Sequence, residues 1–235
     1  MSEYKNLLSV CNNKEFGLLA LIDPDKKNDL KLDNILNTIN KSSFDAILIG
    51  GSEIEDNLFE KRVKYIKENT TLPLISFPGS SNQISPNIPT MLYLNLISGR
   101  NPKYLIEEQV LGANKIKLFN IETIPTAYIL LQSQCTTSVV NVSKTTPLNM
   151  DDRESILSHA LAGQFMGNKL IYFDCGSGSS NKVSLELINY ISKNINIPII
   201  VGGGISTQAD AIKYSKNGAS FVVIGNALEN NKYIN

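Results

Sequence analysis

Between Tyr172 and Leu228 the chain repeats one unit three times: a short apolar strand, a loop of glycine and small polar residues, then an amphipathic helix. LIYFD opens into CGSGSS, IPIIV into GGGIS and ASFVVI into GNALE, with VSLELINYISK and QADAIKYSKNG in between. In a parallel α/β sheet the loops at the carboxyl ends of strands lie side by side, so residues 176–180, 202–206 and 225–226 should face one space. Glycine lets backbone N–H groups approach a ligand, and a loop feeding a helix N-terminus favours an anion. One such loop is an ordinary turn. Three in succession predict a phosphate cradle.

The rest of the chain fits the same plan. Apolar runs of strand length occur at 16–23, 44–51, 72–79, 91–98 and 126–132, and runs this apolar suit strands buried on both faces. Helical spacing is predicted over 27–40, 53–69, 102–117 and 151–167, with a capping helix over 3–12. Residues 136–149 read as an irregular loop or short strand. The link SSNQISPNIPT after the third strand carries two prolines and no helical period, so the third crossover helix is expected to be replaced by an extended segment. Eight strands with helical crossovers in 235 residues predict a single (β/α)₈ TIM-barrel domain of the α/β class spanning 1–235.

Composition narrows the function. Lys plus Arg and Asp plus Glu are balanced at 22 each, which leaves no net field to recruit nucleic acid or anionic lipid. Three cysteines without metal spacing suggest a reduced, cytoplasmic protein, and no run is long enough to span a membrane. The one histidine, His159, falls within a barrel helix, away from the strand ends where sites of this fold lie.

Those strand ends supply the candidates. Asp23 ends the first strand and Ser52 the second; a carboxylate and a hydroxyl opposite a phosphate cradle suit Mg²⁺, although Asp23 before Pro24 is equally suited to capping a turn. Asp174 ends the sixth strand, just before the first glycine loop, where it could orient or deprotonate a hydroxyl of a phosphate-bearing ligand. A sugar-phosphate isomerase or aldolase would use the same cradle but would want a lysine or paired acids inside the barrel. The first four strand segments hold no lysine.

The set LLALIDPDK, IGGSE, ISGRNPKYLI, IPTAYIL, YFDCGSG, VGGGIS and VIGNALE, in this order over nearly the whole chain, resembles the geranylgeranylglyceryl phosphate and heptaprenylglyceryl phosphate synthase family. The resemblance implies a modified TIM barrel that transfers a prenyl group from a polyprenyl diphosphate, here geranylgeranyl diphosphate, to the 3-hydroxyl of sn-glycerol 1-phosphate. It implies Mg²⁺ on Asp23 and Ser52. It also implies glycerol phosphate held by Tyr172, Phe173, Asp174, Cys175, Gly176, Ser177 and Gly178, together with Gly203, Gly204, Gly225 and Asn226. The product would be an ether-lipid precursor that partitions to the membrane, and a homo-oligomer is expected. Two positions differ from the family pattern: Ile22 stands where some members carry Lys before the strand-end Asp, which implies the second branch, and Asp174 stands where Glu is usual.

Overall fold

The computed structural model describes residues 2–54, 56–134, 137–177, 179 and 181–234. Eight parallel strands close into a barrel in sequence order. They are β1 (Gly17–Ile22), β2 (Ala46–Ile49), β3 (Leu74–Ser76), β4 (Thr90–Asn95), β5 (Glu122–Leu130), β6 (Leu170–Asp174), β7 (Ile199–Gly202) and β8 (Phe221–Ile224). The seam joins β8 to β1, with Gly17 opposite Phe221 and Ala20 opposite Ile224. Gly17 has a steric reason: a Cβ there would lie 2.6 Å from the Phe221 ring, which fills the barrel interior.

Strand side chains alternate between two cores, as the period of two requires. One set, including Leu19, Leu48, Ile75, Leu92, Tyr172 and Phe221, packs inside the barrel. The other, including Ile22, Ile49, Ile129, Phe173, Val201 and Ile224, packs outward against the helices. Helix α1 (Glu3–Lys14) is capped by Ser2 and adds Leu7 to the inner cluster. Helix α2 (Leu32–Asn40) buries Leu32, Ile35, Leu36 and Ile39 at the predicted spacing, and α3 (Phe59–Glu68) buries Phe59, Val63 and Ile66.

Several boundaries differ from the sequence reading. The second strand is shorter than the apolar run because Phe44 packs its ring on Tyr233, with centroids 5.2 Å apart, instead of pairing in the sheet. The third helix starts at Phe59, after an irregular segment, and β5 begins at Glu122, ahead of Pro125. Residues 103–107 make a wide helical turn that runs into α4 (Glu108–Leu118). Within the stretch read as loop or strand, Ser138–Ser143 forms a short helix, α5, whose Val139 and Val140 pack on the inner core and so override weak local propensity. The ring continues with α6 (Arg153–Phe165), α7 (Leu185–Ser192), α8 (Gln208–Lys216) and the short α9 (Asn226–Glu229). Between β3 and β4 the regular structure is one 3₁₀ turn, Ser81–Gln83. Its Gln83 is buried and spans two strand ends: Nε2 donates to the Gly51 carbonyl at 2.7 Å, while Oε1 accepts from the amides of Gly51 and Gly79.

Candidate active site

The strand-end loops enclose a cavity of about 600 Å³ at the carboxyl end of the barrel. Its polar end holds Asp23, Ser52, Asp174 and Ser177 with the glycines 203, 204 and 225, and its other end runs as an apolar groove past Ile84, Met91, Tyr93, Tyr104, Gly112 and Ile116.

The glycine loops converge. Gly203 and Gly204 have φ of +89° and +72°, values that L side chains rarely adopt, so the loop after β7 needs glycine at both. A Cβ on Gly203 would also lie 2.8 Å from Asp174 Oδ1. Ser177 Oγ donates to Asn226 Oδ1 at 2.6 Å, which ties the loop after β6 to the start of α9. Gly225 has no such constraint; a Cβ there would make ordinary contact with Leu21.

Asp174 is buried and its carboxylate is held at both oxygens: the Gly176 amide donates to Oδ1 at 2.8 Å, and the Tyr128 hydroxyl donates to Oδ2. Burial pushes its pKa above the usual carboxylate value, while the two donors pull the other way. Burial also raises the Tyr128 and Tyr172 hydroxyls well above the ordinary phenol value, with the Asp174 charge adding to it, so both remain donors. Tyr128 stands opposite Tyr172 across the β5–β6 pair, and Tyr172 stacks on Phe77 with centroids 5.0 Å apart. The motif TAYIL contained Tyr128, yet sequence reasoning gave it no role; its register opposite Tyr172 was the missing signal.

Asp23 sits beside β2. A Cβ on Gly51 would lie 2.2 Å from Asp23 Oδ1, so this glycine makes room for the carboxylate. Oδ1 is buried with no protein partner, and Oδ2 accepts from Lys27 Nζ at 2.5 Å. Turn capping falls to Asp25 instead, which accepts from the Lys26 amide at 2.7 Å. Burial raises the Asp23 pKa, against the pull of Lys27. Among the described residues no three or more His, Cys, Asp or Glu side chains come together closely enough to hold a metal ion by themselves. An orphaned carboxylate oxygen with Ser52 lining the same cavity fits a hard cation that fills its shell with water and phosphate oxygens, as Mg²⁺ does.

Not every expected residue faces the cavity. Phe173 and Cys175 are fully buried in the layer between strands and helices, because alternation along β6 turns them away from Tyr172 and Asp174. Gly176 does not line the space either; its amide is spent on Asp174, and a Cβ there would strike Thr137. Gly178 lies outside the described residues. Ile22 belongs to the outer layer as well, so a lysine at that position would not point at the phosphate space; the strand residue that does is Leu21. His159 lies on α6, outside the cavity lining, with its Nδ1 2.7 Å from the Ser155 carbonyl.

A closed parallel barrel with glycine-lined anion loops, a strand-end carboxylate for a cation and a long apolar groove defines a class: a TIM-barrel enzyme built for an anionic substrate and a lipid-like one. Comparison with known proteins narrows the class. The PcrB family model matches residues 10–235, and the chain belongs to that family. It is 44% identical over 230 residues to the geranylgeranylglyceryl phosphate synthase of Flavobacterium johnsoniae, a match covering 98% of this chain and 95% of that one. Among solved structures it is similar to (S)-3-O-geranylgeranylglyceryl phosphate synthase from Thermoplasma acidophilum, crystallised with its substrate sn-glycerol-1-phosphate. That match has a TM-score of 0.88 at 31% identity and covers 99% of this chain and 94% of that one. The wild-type enzyme from Thermoplasma volcanium matches with a TM-score of 0.86 at 36% identity, over 99% of this chain and 94% of that one. The protein is a prenyltransferase of the geranylgeranylglyceryl phosphate synthase type.

Proposed function

We propose that the chain joins a polyprenyl diphosphate, geranylgeranyl diphosphate in particular, to the 3-hydroxyl of sn-glycerol 1-phosphate in a Mg²⁺-dependent step of ether-lipid synthesis. The observation that carries the reading is the two-ended cavity, in which one wall of glycine loops suits a phosphate monoester and the opposite groove suits a hydrocarbon chain. The connection between β3 and β4 carries a 3₁₀ turn, and the buried Ile84 that follows it lines that groove. None of the eight barrel strands carries a lysine for the Schiff-base chemistry an aldolase would need.

In this reading Gly203, Gly204, Gly225, Ser177 and Asn226 hold the phosphate of glycerol phosphate, and Tyr172 and Asp174 face its glycerol. The backbone of residues 173, 175 and 176 leads into Ser177 and sets the start of that loop. Asp23 and Ser52 would hold Mg²⁺, which when bound neutralises charge on the departing diphosphate. The glycerol oxygen attacks the allylic carbon as the bond from that carbon to the diphosphate oxygen breaks. The hydroxyl proton passes to Asp174, whose second lone pairs remain free beside the Tyr128 and Gly176 donors. Positioning and charge stabilisation supply the rate, with no covalent protein intermediate.

The single domain over 1–235 acts in the cytoplasm as a homo-oligomer, and its product leaves for the membrane. No helix among the described residues is long and apolar enough to cross a bilayer, which suits that division. The test is incubation with Mg²⁺, radiolabelled sn-glycerol 1-phosphate and prenyl diphosphates of graded length, followed by butanol extraction. A labelled lipid is expected with geranylgeranyl diphosphate, and none at any chain length would overturn the reading.

A further inference from the structure

The cavity has an unusual charge balance for its proposed ligands. Six carboxylates line it, those of Asp23, Asp25, Asp174, Glu53, Glu108 and Glu229, against two cationic side chains among the described residues, Lys27 and Lys232. A phosphate monoester and a diphosphate must therefore enter an acidic space, where like charges at close range repel strongly. On β1 the cavity-facing residue is Leu21, which brings no charge.

Lys27 is the cation nearest the metal position. Its Nζ lies 2.5 Å from Asp23 Oδ2, and its side chain is half exposed, at 54%. Its backbone is nevertheless fixed. Asp25 caps the 3₁₀ turn Lys26–Asn28, and Asn28 Nδ2 donates both to the Asp23 carbonyl at 2.8 Å and to Glu229 Oε1 at 2.9 Å. A rigid base with a free four-carbon stem lets the ammonium swing several ångströms without moving the loop. Its neighbour Lys26 does not line the cavity.

We propose that Lys27 is a diphosphate-binding residue that works by exchange: it neutralises Asp23 before the cation arrives, then gives up that carboxylate and moves its charge onto the diphosphate. This rests on the reading of Asp23 as the Mg²⁺ ligand. An ammonium in contact with the ligand carboxylate competes with a divalent cation for it, whereas the same ammonium attracts a diphosphate held nearby. Removing Lys27 should therefore have opposite effects on the two, which a merely structural contact would not produce.

The experiment measures binding apart from turnover. Mn²⁺ binding to wild type, Lys27→Met, Lys27→Arg and Asp23→Asn is followed by electron paramagnetic resonance, and inorganic pyrophosphate binding at saturating Mn²⁺ by calorimetry. Lys27→Met should bind Mn²⁺ roughly 2- to 5-fold more tightly, the scale of one solvent-accessible ion pair. It should bind pyrophosphate about tenfold more weakly, the scale of one charged hydrogen bond, and the KM for prenyl diphosphate should rise in step. Lys27→Arg should restore most of the pyrophosphate affinity. Unchanged or weaker Mn²⁺ binding by Lys27→Met overturns the exchange, and unchanged pyrophosphate binding overturns the contact. Asp23→Asn that retains wild-type Mn²⁺ affinity would show instead that the metal reading itself is wrong.

Discussion

Asp174 shows how a carboxylate one methylene shorter than glutamate can still be fixed at a strand end. Its two oxygens are set by one backbone amide and one phenol, both supplied by the protein before any ligand arrives. Burial places its pKa above the ordinary carboxylate value, so activity that depends on the charged form should fall as pH drops through that raised pKa. Tyr128→Phe removes a donor that favours the charged form, so the acid limb of kcat should move to higher pH. Asp174→Asn should lower kcat by roughly 10²-fold or more and leave no acid limb. Both effects are read from kcat–pH profiles carried from neutral pH down through the acid limb. An unshifted limb in Tyr128→Phe would mean that the phenol does not act on this proton.

The sequence identified Asp174 because it ends a buried strand just before a glycine loop. It could not identify Tyr128, since a tyrosine in an apolar strand reads as core until the register with Tyr172 is known. Phe173 and Cys175 illustrate the same point in reverse. A motif read as continuous letters includes them, whereas the pleat of β6 sends them to the opposite face from their neighbours.

At the scale of elements, two loops that come from different strands are bolted together by one buried guanidinium. Arg62 on α3 is 5% exposed. It binds Asp29 through Nε at 2.5 Å and Nη2 at 2.9 Å, and Asp56 through Nη1 at 2.6 Å and Nη2 at 2.7 Å, with a further contact to the Pro24 carbonyl. Pro24 and Asp29 flank the turn that presents Asp23, and Asp56 follows the turn that presents Ser52. Arg62→Met should lower the melting temperature and reduce kcat by loosening both loops, with little change in the KM for glycerol phosphate. The Arg62 hydrogen bonds hold the Asp56 pKa down at about 2. That depressed pKa adds stability above the unfolded value, ~3.8, and the gain is lost as pH falls toward the folded one. The gap between wild-type and Arg62→Met melts should therefore narrow only in that acid range. Helix α3 was visible in the sequence from Val63 and Ile66. The clamp was not, because its partners lie 33 and 6 residues away from Arg62 and only the fold brings them together.

For the molecule as a whole, the barrel was legible because its signal is repeated: apolar strand, small-residue loop and amphipathic helix recur often enough to outweigh uncertain boundaries. The prolines between β3 and β4 pointed to a groove there, but its walls were not legible, since they depend on the path of the chain between those strands and on α4 lying across it. Gly112 marks that contact, for a Cβ there would lie 2.7 Å from Ile84 Cδ1. Gly112→Leu should therefore narrow the groove and raise the KM for prenyl diphosphate severalfold while leaving that for glycerol phosphate near the wild-type value. Equal changes in both would mean that the apolar groove does not house the prenyl chain.

The rings of Phe77, Tyr172 and Tyr128 touch one another in sequence, with centroids 5.0 and 5.3 Å apart, at the top of a barrel already filled below by Phe221. None of the three can tilt without displacing the next. The phenol that grips Asp174 is thus locked by its neighbours, and the dipoles around the carboxylate have little freedom to relax when charge moves. In water that relaxation would accompany every proton transfer and add to its barrier; here the orientation is settled during folding, so the chemical step begins with its polar surroundings already aligned.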